Sequence, residues 1–266
     1  MRELNGKNAF VTGGASGIGF AMAQSLANRG VAVAIADIDP AAAEAAAARI
    51  EQGGGRACAV ESDVTSESSL ERAADAAVAQ LGEIRIVMNN AGAFTVAPLE
   101  ETRRSDWEWL LELNVIGVVN GLPTFLPRLR AQGGEAHIVN TASVSGHLPV
   151  PGLSIYTASK FAVVGLSECL RLELTGTSIG LSVLCPGIVR TSLLETSQRH
   201  RPERHGGTGA GGVEMRSVIE GGTDPAELGE RDAAAIENGE FYVFTHPHLR
   251  PAFDRRFAEI LASQTD

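Results

Sequence analysis

The chain has 266 residues, with 22 basic against 32 acidic side chains and a formal charge of −10. A hydrophobic content of 44% beside only 20% charged residues excludes disorder for the chain as a whole, and the length suits one large α/β domain. The acidic balance works against a phosphate backbone or an anionic bilayer, so neither nucleic acid nor a membrane is an expected partner.

Short β-branched runs alternate with Ala/Leu/Glu-rich stretches of helical length. In chain order the pattern predicts strands over residues 9–12, 31–36, 57–61, 84–89, 137–140, 181–185 and 241–244. Helices are expected over 18–29, 40–52, 67–81, 110–122, 156–174, 213–219 and 226–237, the second of them stopped by Gly53-Gly54-Gly55. Strands that are apolar on both faces and joined by helices imply a parallel sheet covered on both sides. The expected architecture is a single doubly wound α/β domain over residues 1–266, with about seven strands.

One segment departs from this rhythm. Gln198 to Gly212 is rich in Arg, His and Gly, and is expected to be a mobile surface excursion. With the following helix it makes 198–220 a candidate lid over a cleft, although an idle insertion would look the same. The three cysteines, Cys58, Cys169 and Cys185, form no C-x-x-C pair, which argues against a disulfide framework or a zinc site. His246 and His248 have no acidic or cysteine partner at ligand spacing, so no metal is expected and a tail contact is the simpler reading. The N-terminus has no apolar leader and no later apolar run approaches a membrane span, so a soluble cytoplasmic protein is expected.

Thr12-Gly13-Gly14-Ala15-Ser16-Gly17-Ile18-Gly19 falls between the first strand and the first helix, where a pyrophosphate meets free backbone N–H groups. Gly13 and Gly17 permit a tight turn and close approach, and Gly19 lets the helix pack near the strand. Asp37, at the end of the second strand, stands where a carboxylate would bind the adenosine ribose and repel a 2′-phosphate, favouring NAD over NADP. Gly14, Ala15 and Ile38 supply no compensating cation, while capping of the turn before Pro40 is the structural alternative for Asp37. Tyr156 and Lys160 lie at i and i+4 on one helical face, and a phenol beside an ammonium is expected to have a lowered pKa. Ser143 offers a hydroxyl for a substrate oxygen.

These motifs, with Asp63-Val64, Asn89-Asn90-Ala91-Gly92, Asn114 and the run Pro186-Gly187-Ile188-Val189-Arg190-Thr191, resemble the short-chain dehydrogenase/reductase family from about Gly6 to the last strand. The resemblance implies a Rossmann fold and a catalytic tetrad of Asn114, Ser143, Tyr156 and Lys160, with Tyr156 as acid/base. It places the cofactor on Gly13, Ser16, Gly17, Ile18, Gly19, Asp37, Asp63, Val64, Asn90, Ala91, Gly92, Tyr156, Lys160, Pro186, Gly187, Val189 and Thr191. It also implies hydride transfer between a secondary alcohol or ketone and NAD, in a homodimer or homotetramer built on the helices after Asn114 and Tyr156. Residues 107–121, 146–156 and 245–251 resemble a bacterial branch that includes lignin aryl-ether Cα-dehydrogenases.

The expected pocket wall is Phe94, Val144, Leu148, Pro149, Leu153, Leu193 and Leu194, which favours a bulky hydrophobic or aromatic substrate. His147 is expected either to touch a polar substituent or to face solvent, while Trp107 and Trp109 are expected to pack a helix or a subunit contact. Two other readings remain: an NADP-linked 3-oxoacyl thioester reductase, opposed by Asp37, and a non-catalytic dinucleotide sensor, opposed by the intact Ser143, Tyr156 and Lys160.

Overall fold

A computed structural model describes residues 1–206 and 213–264. Seven parallel strands, β1 (Asn8–Thr12), β2 (Ala32–Asp37), β3 (Arg56–Glu61), β4 (Ile86–Asn89), β5 (Ala136–Thr141), β6 (Ile179–Cys185) and β7 (Tyr242–Phe244), lie in the order β3-β2-β1-β4-β5-β6-β7. The helices are α1 (Gly17–Asn28), α2 (Pro40–Gln52), α3 (Glu67–Leu81), α4 (Arg104–Leu111), α5 (Gly117–Gln132), α6 (Ser154–Glu173), α7 (Leu193–Arg199), α8 (Val213–Glu220), α9 (Pro225–Asn238) and α10 (Arg250–Ala262). Strand period decides which face each side chain supplies. Ala9 and Val11 of β1, with Val33 and Ile35 of β2, pack under α1, α2 and α9. Phe10, Ala32, Ala34 and Ala36 point to the other face and meet α3, α5 and α6. Both faces are therefore dry, as the doubly wound reading requires.

Local chemistry sets the helix starts. The Asp39 carboxylate accepts from the Ala42 N–H with Pro40 in the first turn, Ser66 accepts from Ser69, and Asp224 accepts from Ala226 ahead of α9. The largest departure from the sequence pattern is the helix expected over 110–122. It runs from Arg104 to Gln132, interrupted by a π-helical turn at Glu112–Ile116 that carries Asn114. Pro123 and Pro127 lie inside α5, both on its exposed face. Carbonyls freed on that side are open to water, while Leu122, Phe125 and Leu129 hold the opposite face in the core. This 29-residue rod is, among the described residues, the one helix long and apolar enough to cross a membrane, and half of its most apolar window is buried within the fold.

α9 packs closely along α1 and buries Asp232, whose two carboxylate oxygens have no hydrogen-bond partner among the described residues. Burial pushes its pKa up to about 7 from an ordinary 3.8, against a smaller pull from Arg231. A raised carboxyl pKa means the native state holds its proton while the unfolded chain has lost it. Stability should therefore fall as pH rises from about 4 through about 7, by on the order of 2–4 kcal/mol. Urea unfolding at several pH values should show this slope, and Asp232→Asn should flatten it.

Candidate active site

The strand order reverses between β1 and β4, and the crevice above their C-terminal ends is where ligands sit in such sheets. The Thr12 hydroxyl accepts the N–H groups of Asn90 at 2.9 Å and Ala91 at 3.1 Å and donates to the Met88 carbonyl. The Asn90 amide in turn donates to the Thr12 carbonyl at 3.0 Å. Gly13 and Gly17 have φ of +62° and +54°, and a Cβ at Gly19 would lie 2.2 Å from the Gly13 oxygen. Ser16 occupies the N-cap position of α1 without a side-chain cap bond, and no acidic residue stands in the first turn. A glycine cradle beneath unsatisfied helix N–H groups fits a dinucleotide pyrophosphate.

Asp37 closes the far end. Its carboxylate accepts from Ala15 N at 3.1 Å and Asp39 N at 3.2 Å, tying the glycine loop to the tip of β2. The turn before Pro40 is thus also held by Asp37, through Asp39 N, while Asp39 caps α2 itself. Asp63 holds its own turn through Thr65, at 2.9 Å to the backbone and 2.7 Å to the hydroxyl.

Three side chains meet opposite the glycine loop. Tyr156 and Ser143 both line the cleft, and the Lys160 nitrogen lies 5.6 Å from the centre of the Tyr156 ring. Lys160 also donates to the Thr141 carbonyl at 2.9 Å. Burial pulls its pKa down to about 8. The expected depression of the Tyr156 pKa is not found: burial raises it, and the nearby Ser143 hydroxyl offsets this only in part. The physical reason is that the ammonium stands over the ring face within a poorly solvated recess, where desolvation of the phenolate dominates. Asn114 is fully buried behind this group, exchanging hydrogen bonds with the Ala93 backbone at 2.9 Å in both directions and donating to Ser159 at 3.0 Å.

One cleft of about 740 Å³ gathers every residue assigned to the cofactor by the sequence, from the glycine loop through Asp37, Asp63-Val64 and Asn90–Gly92 to Pro186–Thr191. Ser143, Tyr156 and Lys160 share it, whereas Asn114 is not among its lining residues. Of the predicted substrate wall, Phe94, Val144, Leu148, Leu153 and Leu193 are present. Pro149 is exposed and Leu194 is turned into the protein, so neither contributes. Trp109, expected only to pack, also lines the cavity, as do Leu113, Val150 and Met215, Val218 and Ile219 of α8. His147 neither faces solvent nor lines the cleft. It is buried among the rings of Tyr242, Phe244 and Phe253, with Cys185 Sγ at 3.5 Å.

The first part of the expected surface excursion is docked instead. Arg201 is buried against Asp106 of α4, stacks over Trp109 and bonds the His205 carbonyl, while Arg204 and His205 grip Glu112 at 3.0 and 3.1 Å. Burial alone would raise the pKa of both acids, but hydrogen bonds and cationic partners outweigh it and hold both below their ordinary values. Composition missed this because the partners lie about 90 residues away in sequence. Residues 207–212 of the excursion lie outside the described residues.

Residues 7–202 match the short chain dehydrogenase family. The chain belongs to the short-chain dehydrogenase family. As a short-chain dehydrogenase it is an oxidoreductase. A C alpha-dehydrogenase of Sphingobium sp. strain SYK-6 is 32% identical to it, over 99% of this chain and 88% of the relative. A CLA biosynthesis dehydrogenase/reductase of Lactiplantibacillus plantarum is also 32% identical, over 98% and 95% of the two chains. The crystal structure of a short-chain dehydrogenase/reductase from Burkholderia phymatum in complex with NAD superposes with a TM-score of 0.94 at 33% identity, covering 100% and 98%.

The cradle makes a specific demand on side-chain volume. In Gly19→Ala the new methyl meets the Gly13 carbonyl at 2.2 Å and the Asn90 amide nitrogen at 2.5 Å, both of which fix the loop. The expected cost is about 1–3 kcal/mol in thermal or urea unfolding, with at least tenfold weaker NADH binding by fluorescence titration.

Proposed function

We propose that this short-chain dehydrogenase transfers a hydride between NAD and a bulky hydrophobic or aromatic secondary alcohol or its ketone. The observation that carries the reading is the meeting of Ser143, Tyr156 and Lys160 at one end of a cleft whose other end is Asp37. The nicotinamide, when bound, takes the hydride from the alcohol carbon or returns it to the carbonyl carbon. Tyr156 takes or gives the hydroxyl proton, and Ser143 holds the reacting oxygen by hydrogen bonding. Lys160 supplies positive charge over the Tyr156 ring and binds the nicotinamide ribose. Asn114, locked by its side chain in the π-turn, is the fourth member and positions a water beside Lys160.

Asp37 supports NAD. A 2′-phosphate at ~4 Å from its carboxylate is disfavoured by on the order of 1–4 kcal/mol, and no side chain of Gly14, Ala15 or Ile38 offsets that charge. The apolar wall from Phe94 through Leu153 to Ile219 supports the substrate class, and the two relatives named above are both dehydrogenases by name. Ile116 and Val119 on the rod and Leu172 on α6 are exposed, which supports pairing with a second copy through α5 and α6 as a dimer or tetramer. Arg199, His200 and Arg204, with Met215, Val218 and Ile219 of α8, wall the substrate half, and Arg201, Arg204 and His205 are anchored on Asp106 and Glu112.

The deciding experiment incubates the protein with NAD or NADP and a panel of benzylic and aliphatic secondary alcohols, following reduced cofactor by absorbance. Turnover with NAD and aromatic or long-chain alcohols is expected; turnover with NADP alone would overturn the role given to Asp37, and binding without turnover would favour a sensor. Tyr156→Phe should lower kcat roughly 10³-fold while leaving NADH affinity within about threefold. In the wild type the raised Tyr156 pKa keeps the phenol protonated near neutrality. Ketone reduction should therefore proceed at neutral pH, and alcohol oxidation should accelerate as pH rises, a trend that pH–rate profiles in both directions will read.

A further inference from the structure

β7 ends at Phe244, and two residues later His246 lies against the loop that follows β6. Its Nδ1 accepts the Gly187 backbone N–H at 3.1 Å, and its Nε2 stands 3.1 Å from the Ile188 carbonyl and 3.2 Å from the Thr223 hydroxyl. A backbone N–H only donates and a carbonyl only accepts. The two bonds thus require the same form of the ring, neutral with the proton on Nε2. Thr245 Oγ1 lies 2.7 Å from Nδ1 and adds a donor to the same acceptor. Gly187 has no side chain where the ring sits: a Cβ there would come within 2.6 Å of it.

The braced loop has two further attachments. Residue 189 bridges to Thr223, with Arg190 N donating to the Thr223 carbonyl at 2.9 Å and Thr223 N to the Ile188 carbonyl at 3.0 Å. On the other side the Pro186 carbonyl accepts from Val144 N at 2.9 Å and from the Ser143 hydroxyl at 3.3 Å. Thr191, at the end of the loop, lies beside Gly17, where a Cβ would come within 3.3 Å of its methyl group. His246 itself lines that cleft. The sequence shows no acidic or cysteine partner at ligand spacing and so predicts only a tail contact for His246.

We infer that His246 is a positioning residue, setting the Gly187–Thr191 loop at the height at which Val189 and Thr191 meet the nicotinamide end of the cofactor. The inference rests on the proposed reading of that loop as cofactor-binding. It distinguishes the two ends of the dinucleotide: Asp37, assigned to the adenosine ribose, and the glycine loop, assigned to the pyrophosphate, are not among the hydrogen-bond partners of His246. Truncating the ring frees the loop at the nicotinamide end alone.

The test measures NADH and ADP binding separately, by fluorescence and calorimetric titration, for the wild type, His246→Leu and His246→Asn. In His246→Leu, NADH affinity should fall tenfold or more while ADP affinity changes less than twofold. His246→Asn, which retains an acceptor within reach of the Gly187 N–H, should recover part of the loss. Equal weakening of both ligands, or no change in either, overturns the inference. Failure of the wild type to bind NADH at all would instead overturn the cofactor reading beneath it. A second measurement needs no variant: long-range proton–nitrogen NMR of the wild-type histidines at pH 7.5 should show one neutral ring protonated at Nε2 that is absent from the His246→Asn spectrum. A His246 ring found protonated at Nδ1 also overturns the inference.

Discussion

The site depends on a few hydrogen bonds at the point where the sheet reverses. Thr12 ends β1 and Asn90 follows β4, and their mutual bonds join these two strands beyond the Val11–Met88 pair at which their own ladder stops. Without them, the side of each strand end that faces the other would be left to solvent or to a loop of unspecified shape. Bound together, they fix the glycine loop on one side and the Asn90–Gly92 turn on the other, and the turn in turn shields Asn114 and Lys160. The catalytic group is therefore held by the same bonds that shape the cofactor cradle. Buried polar groups of this kind are costly unless satisfied, and here nearly all the capacity of Thr12 is used.

The fold was legible because its information is local and periodic. β1 and β2 alternate between two apolar faces, and helices such as α2 and α9 announce their starts with an aspartate followed by proline. The cleft was legible for a different reason: Gly13, Gly17 and Gly19 answer steric demands that other residues cannot meet, so the residue types carry the geometry. What stayed hidden depends on contacts distant in sequence or on exposure. Prolines 123 and 127 mark a helix end only if the missing donors fall on a dry face, and the sequence does not say which face is wet. The pairing of Arg201 with Asp106 and the burial of His147 have no local signature at all. The same holds for Tyr156, since its spacing from Lys160 shows the neighbour but not the depth of the recess, which decides the sign of the shift.

Charge is distributed against the overall balance. A chain with a net charge of −10 concentrates arginine and histidine between residues 199 and 205, then neutralises much of that cluster on Asp106 and Glu112. Arg201 is the least exposed of these and also covers Trp109, so its removal from water is compensated by a carboxylate, a carbonyl and an aromatic face together. The apolar part of the cavity wall, Phe94, Trp109, Leu113 and Leu153, therefore stands beside Arg199, His200 and Arg204, which line the same cavity.

The π-turn at Glu112–Ile116 has a geometric consequence for both of these regions. A helix advances by about 100° per residue, and one wider turn inserts a surplus residue that offsets the two halves of the rod by about that angle. Upstream, Asp106 and Glu112 are thereby aimed at the basic strap; downstream, Leu122 and Phe125 are aimed at the sheet. Excising a single residue between 112 and 116 would rewind the rod into one continuous phase, leaving it able to serve the strap or the sheet but not both.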